Sequence, residues 1–417
     1  MLKKARAKPT IGALAHIRVL DLSRILAGPW CTQNLADLGA EVIKVERPGC
    51  GDDTRSWGPP WINPTETIHE QRISSYFAAA NRGKKSLTLD ISSAKGQEII
   101  KELVKVSDVL IENYKLGDLK RYGLDYQSLK KINPRLVYCS ITGYGQDGPN
   151  AHKPGYDFVF QAIGGMMSIT GEADALPGGG PQKLGIAIAD VITGMYSSIA
   201  ILAALNSRNE TGQGQYIDMA LLDGIIALGG NQVTGFFADG TIPFRYGNAH
   251  ASLVPYQVFA VKDGEIVVAV GNDTQWQRYC EAIKRPDLAQ DKRWSKVTGR
   301  ITGRSELVPE LAKTMLKKKA AAWISVLEQF DVPCGQINNY QQVFQDPQVI
   351  YRKMKIDTAY PDGATVATIA SPLRLQGTPP QYLRPPPKLG DSNHAVLVNI
   401  LGYSEKAVQD LKKKKII

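Results

Sequence analysis

Apolar and polar positions alternate in two rhythms along the first half of the chain. Short β-rich runs occur at 17–22, 41–45, 86–91, 109–111 and 136–141. Between them lie stretches with helical spacing. Gly28-Pro29 opens the first, which runs to Asp37-Leu38. Proline suits an early helical position because its missing N–H would have no partner there. Gly39 then fits the left-handed position just past the helix end. An amphipathic helix is predicted at 93–107, with helical turns at 116–122 and 126–132. Repeated strand–helix–strand alternation predicts an α/β, doubly wound, Rossmann-like large domain on a parallel sheet.

One charge interrupts the most apolar stretch, 184–205. Asp190 follows an alternating, β-like run at 184–189 and precedes an apolar run of helical length at 191–205. Burying a carboxylate is costly unless something satisfies or uses it. Asp190 is therefore either a helix N-cap or a carboxylate that both caps the helix and does chemistry. A further long helix is predicted at 218–237. Near Gly240 the pattern changes to strands at 256–261 and 265–270, joined by Lys262-Asp263-Gly264, followed by helices at 275–283, 304–316 and 320–330. These readings divide the chain into the N-terminal part of a large domain (1–225), a smaller α+β domain (240–330) and a C-terminal segment returning to the large domain (331–417).

Composition narrows the function. The 417 residues are 43% hydrophobic and 22% charged, as in ordinary globular proteins. The apolar run after Asp190 is too short to span a bilayer, so no membrane association is expected. The net charge is +10, yet the lysines are scattered rather than arranged in a stripe with aromatics. Nucleic acid is not expected as a partner, while a polyanionic small molecule is compatible. Five widely spaced cysteines without a C-x-x-C point to a reducing compartment and no zinc site. The basic start reads as a short disordered segment or a presequence remnant. The expected location is the cytoplasm, with the mitochondrial matrix as the alternative.

No G-x-S-x-G, H-E-x-x-H or Walker motif is present. The turn after the first strand is Ser23-Arg24-Ile25-Leu26-Ala27-Gly28, without the dinucleotide glycine fingerprint, which disfavours an NAD oxidoreductase. His16, His69, His152 and His394 lie in polar or loop contexts, whereas His250 sits among small residues that would admit a ligand. A carboxylate nucleophile fits this inventory, since Asp is already ionised at neutral pH and needs no base. Helix N-terminal N–H groups would keep Asp190 ionised.

Several segments, in order, resemble the class III (family III) CoA-transferases. They are Leu26-Ala27-Gly28-Pro29, Leu38-Gly39-Ala40-Glu41-Val42-Ile43-Lys44-Val45-Glu46, Gly51-Asp52-Asp53-Thr54-Arg55, Asn81-Arg82-Gly83-Lys84, Glu112-Asn113-Tyr114, Gly155-Tyr156-Asp157, and Asp190 before its apolar run. The resemblance implies that Asp190 is the catalytic nucleophile. It places CoA contacts at Ile25, Leu26, Arg47, Leu89, Asp90, Ile91, Ser92, Asn113, Tyr114 and Arg121. It also implies no cofactor beyond the substrate coenzyme A, no metal, and an interlocked homodimer. Gly164-Gly165 or Gly247 and its neighbours are expected to supply oxyanion donors. Within the family, 139–146, 253–259, 335–339 and 384–387 are most similar to enzymes that move CoA from succinyl-CoA to glutarate. A dicarboxylate acceptor needs a cation for its distal carboxylate, for which Arg55, Arg82 and Arg245 are the candidates, with Tyr156 and His250 also on the substrate side. An α-methylacyl-CoA racemase of the same superfamily would need a His where Tyr156 stands; a phenol of pKa about 10 suits that proton transfer poorly. A non-catalytic CoA-binding protein would not need Asp190.

Overall fold

A computed structural model describes residues 12–62 and 73–417; His69 lies outside them. The larger of two compact units comprises residues up to Met166, Leu184–Thr234 and Ile350–Ile417. Its sheet holds β1 (Arg18–Asp21), β2 (Glu41–Glu46), β3 (Lys84–Thr88), β4 (Val109–Glu112), β5 (Val137–Thr142) and β6 (Tyr216–Ala220). The spatial order is β3-β2-β1-β4-β5-β6, and every neighbouring pair is parallel. This is the doubly wound order, in which ligands bind beyond the carboxyl ends of the strands.

Helix α1 (Ala27–Asp37) joins β1 to β2, and Gly39 follows it at φ +100°. Helix α2 (Ser75–Asn81) precedes β3 and is capped by Ser74. Helix α3 (Ala94–Lys105) starts at Ser93, whose hydroxyl accepts from Gly96 N–H at 3.0 Å. Such a cap contributes about 1 kcal/mol. Ile99, Ile100, Leu103 and Val104 of α3 pack against Leu20, Ile43, Leu87 and Leu110 of the strands. Val408 and Leu411 from the last helix complete that core, so 395–417 returns to the large unit. The short helices α4 (Asp118–Arg121) and α5 (Tyr126–Leu129) lead into β5. Then come α6 (Asp157–Ile163), α7 (Met166–Ile169) and the long α8 (Ile188–Thr211).

Two expectations are corrected. The run 184–189 is not a strand: it has no partner strand, and helix α8 already begins at Ile188. The expected helix at 218–237 begins instead as β6, and only then continues as α9 (Leu221–Leu228) and α10 (Gly230–Asp239). Pairing with β5 across five residues outweighs local helical preference there. Helix α8 has 24 residues rather than the 15 of the apolar run, and by length and composition alone it would suit a bilayer. In the large unit it packs on α1, α6 and α9.

The second unit holds Met167–Lys183 and Gly235–Val349. An antiparallel sheet of β7 (Tyr256–Val261), β8 (Gly264–Ala269) and β9 (Cys334–Gln336) packs with α11 (Asp273–Ala282), α12 (Pro286–Gln290), α13 (Val297–Thr302), α14 (Arg304–Met315) and α15 (Ala320–Gln329). Trp276, Trp323 and Tyr279 centre its core. The short helices α16 (Tyr340–Val343) and α17 (Pro347–Tyr351) follow. In the larger unit β10 (Lys355–Ala359) and β11 (Thr365–Ile369) form a hairpin. A π-helical segment (Ala395–Ile400) and α18 (Glu405–Lys413) close the chain.

Candidate active site

The loop after β1 carries the site, and buried charges beneath it fix its shape. Asp21, at the end of β1, accepts from Ser23 Oγ at 2.5 Å, from Thr32 Oγ1 at 2.6 Å and from Lys84 Nζ at 3.1 Å. Lys44 of β2 pairs with Asp52 at 2.8 Å and donates to the Ser23 carbonyl at 2.9 Å. Despite its burial, Asp52 is held down to about 2 by Lys44 and by the Thr54 amide and hydroxyl. Breaking one partner of such a buried pair costs about 3–5 kcal/mol. Above this network Ile25 adopts φ +72°, a conformation that costs a branched residue energy. Asp52 holds its N–H at 3.2 and 3.3 Å. Asn113, just past β4, accepts from Arg24 N–H at 2.8 Å and donates to the Arg24 carbonyl at 2.7 Å.

The pinned loop delivers the N-terminus of α1. No side chain caps that helix, and its first turn contains no acid. Its free N–H groups and positive dipole end therefore lie open to an anion. Asp190 is that anion. It stands in the first turn of α8, not at the N-cap, which is Ala187 and makes no side-chain hydrogen bond. Capping comes from elsewhere: Asp157, at the start of α6, accepts from Ala189 N–H at 2.7 Å. The expectation that helix N–H groups keep Asp190 ionised is also corrected. Burial and the nearby Asp157 carboxylate push it up to about 7, against the favourable Ala27 N–H. The Tyr76 phenol, on α2, feels both carboxylates and is pushed up to about 12, mainly by burial. Asp190 approaches α1 closely because of Gly194. A Cβ there would lie 2.6 Å from the Ala27 carbonyl oxygen.

Asp190 lines a cleft of about 320 Å³ with Arg24, Ile25, Asn113, Tyr114 and Tyr156. Tyr156 is 67% exposed. A second cleft, of about 250 Å³, shares Arg24 and Tyr114 with the first and is lined by Arg47, Leu89, Asp90, Ile91 and Ser92. Most of the residues expected to contact CoA thus border two adjoining clefts. The guanidiniums of Arg24 and Arg47 both bind Asp53, at 2.7 and 2.8 Å. Arg24 was not singled out in the sequence; its place between the first strand and Ile25 was the only signal. Leu26 is buried instead, at the N-cap of α1. Arg121 pairs with Asp118 at 2.8 Å and stacks on Tyr122, which lines the second cleft.

The arginines proposed for a distal carboxylate require correction. Arg55 makes a bidentate pair with Glu46, at 2.7 Å through both Nε and Nη2. Arg82 is buried against Asp37, with Nε 2.9 Å from Oδ1. Both are structural pairs. In the second unit Arg245 binds Asp174 and the carbonyls of Ser168 and Glu172. In the same unit His250 accepts from Ser252 N–H at 3.0 Å through Nδ1. The expected oxyanion glycines are engaged as well. Gly164 and Gly165 N–H groups close the end of α6 on the Phe160 and Ala162 carbonyls, and Gly247 N–H donates to Gly171. The α1 N-terminus is the donor set that faces Asp190. Among the described residues no group of three or more His, Cys, Asp or Glu could hold a metal.

Comparison with known proteins identifies the family. The family description "CoA-transferase family III" matches residues 14–393. A succinate–glutarate CoA-transferase of Agrobacterium fabrum is 43% identical over 387 residues, 93% of this chain and 95% of that protein. The Homo sapiens succinyl-CoA:glutarate CoA-transferase is 40% identical over 401 residues, 96% of this chain and 89% of that protein. A CAIB/BAIF family protein from Brucella suis superposes with a TM-score of 0.82 at 43% identity, covering 94% of this chain and all of that one. The chain belongs to CoA-transferase family III and is an enzyme of that class.

Proposed function

We propose that this enzyme moves CoA from succinyl-CoA to glutarate through covalent intermediates on Asp190. The observation that carries the mechanism is the placement of Asp190 in a cleft, against the uncapped N-terminus of α1. The names of the relatives support the substrate pair and favour transfer over racemisation or simple CoA binding.

The ionised Asp190 carboxylate attacks the thioester carbon, and the C–S bond breaks to give a mixed anhydride and CoA thiolate. The thiolate attacks the aspartyl carbon, releasing succinate and leaving an aspartyl-CoA thioester. The acceptor carboxylate attacks that thioester, again expelling thiolate and forming a second anhydride. Thiolate then attacks the acceptor's acyl carbon, giving the new CoA ester and restoring Asp190. Each addition places negative charge on an oxygen beside the α1 N–H groups, which need not reorganise to stabilise it. The activated acyl bond persists throughout, so no nucleotide triphosphate enters the balance. Arg24, Lys115 and Lys153 line the Asp190 cleft and suit a substrate bearing a second carboxylate.

Hydroxylamine added during turnover with succinyl-CoA is expected to leave a hydroxamate on Asp190, read by peptide mass spectrometry. Asp190→Ala is expected to abolish transfer while still binding CoA. Unmodified Asp190 under turnover, or full activity in the variant, would sink the covalent route. The assembly belongs to the same proposal: an interlocked homodimer, supported by the exposed apolar side chains of α8.

A further inference from the structure

We propose that Lys412 and Lys415, just before the end of the chain, bind the 3′-phosphate of coenzyme A. The inference rests on the CoA-transferase reading and extends its site to residues that carried no role in the sequence.

A third cleft, of about 550 Å³, adjoins the second through Arg47 and Asp90. Its other walls are Pro48, Gly49, Cys50, Lys412, Lys415 and Ile417. The three clefts thus follow one another from Asp190 outward, each sharing two residues with the next. A thioester carbon at Asp190 fixes one end of the ligand. An extended CoA then passes the paired Arg24 and Arg47 and places its adenosine phosphates in the third cleft. A phosphate monoester is close to dianionic at neutral pH.

The charges in that cleft suit such a group. The Asp90 carboxylate is turned onto its own loop, accepting from Ser92 N–H at 3.0 Å and Ser92 Oγ at 2.6 Å. Lys412 and Lys415 are exposed, and among the described residues neither ammonium has an ion-pair partner. Their backbone is nonetheless fixed. Val408 and Leu411 bury the inner face of α18, and Asp90 N–H donates to the Ile416 carbonyl at 2.8 Å. Lys415 takes φ +55°, the left-handed position past a helix end where glycine would cost less. A lysine held there, unpaired and beside the cleft, has the placement of a phosphate ligand.

The test is calorimetric binding of CoA and of dephospho-CoA, which lacks only that phosphate. Wild type is expected to prefer CoA. In the Lys412→Gln/Lys415→Gln double variant, CoA affinity is expected to fall by about 5- to 20-fold. Dephospho-CoA affinity should stay unchanged. An equal loss for both ligands, or no loss for CoA, overturns the assignment. Wild type that bound neither ligand would overturn the CoA site as a whole. Thermal melts of the variant separate either result from misfolding.

Discussion

At the residue scale, Asp190 works by a balance of opposed effects. Burial and Asp157 hold its proton on, and the Ala27 N–H favours the charged form. Under the proposed covalent route Asp190 must be ionised to attack, so kcat/KM is expected to rise with pH along an acid limb near 7 and to level above it. Asp157→Asn keeps an oxygen for the Ala189 N–H but removes the neighbouring charge. The limb should then move to lower pH; a profile unchanged from wild type would show that Asp157 does not act on Asp190 by charge. Asp190 stands out in the sequence because a lone acid in a long apolar run demands a reason. Its pKa is not legible there, because the opposing carboxylate lies 33 positions earlier and only the fold brings it near. The arginines Arg55 and Arg82 misled for the same reason. Their partners, Glu46 and Asp37, are remote enough in sequence that no local pattern distinguishes a buried pair from an open ligand.

At the scale of elements, the crossing of α1 and α8 decides whether Asp190 meets the N–H groups that open α1. Gly194 permits that crossing, and the atom a side chain would meet is backbone, which cannot turn aside. Gly194→Ala is expected to destabilise the fold by about 1–3 kcal/mol. It should also lower kcat more than it raises KM, since it spreads the α1 N–H groups away from the reacting oxygen. A melt and a steady-state series on the same preparation check both parts. The strands β1 to β5 could be read from the chain because each is short and bounded by turn residues, although β3 (Lys84–Thr88), with Leu87 as its one apolar residue, begins two residues before the expected run at 86–91. Strand β6 could not: Tyr216–Ala220 runs directly into α9, so no turn marks the change, and only pairing with β5 reveals it.

At the scale of the molecule, apolar surface remains where a solitary chain would not be expected to leave it. Met195, Tyr196 and Ile199 on α8 are 38%, 39% and 58% exposed. If a second copy covers them, light scattering should give twice the chain mass, and Ile199→Glu should reduce the dimer or lower its melting temperature. A wild-type monomer would refute the interlocked assembly. The doubly wound class was legible at this scale because alternation of strand and helix is a repeating signal. The division of the chain was less so. Met167–Lys183 belongs with the second unit through contacts such as Gly171 to Gly247, which span some 76 positions.

The loop fastened by Asp52 and Asn113 has a kinetic consequence. The peptide that walls the proposed CoA cleft at Ile25 continues within two residues into the amide that faces Asp190. Grip on the handle of the thioester and alignment of its reactive carbon are therefore mechanically one event. A clipped donor such as succinyl-N-acetylcysteamine, which keeps the reacting carbon but not the nucleotide, should turn over slowly even at saturation. Its handicap should appear in kcat as well as in KM. An equal kcat for the clipped and full-length donors would mean that the channel serves only to hold the substrate, and that the reacting end aligns by itself.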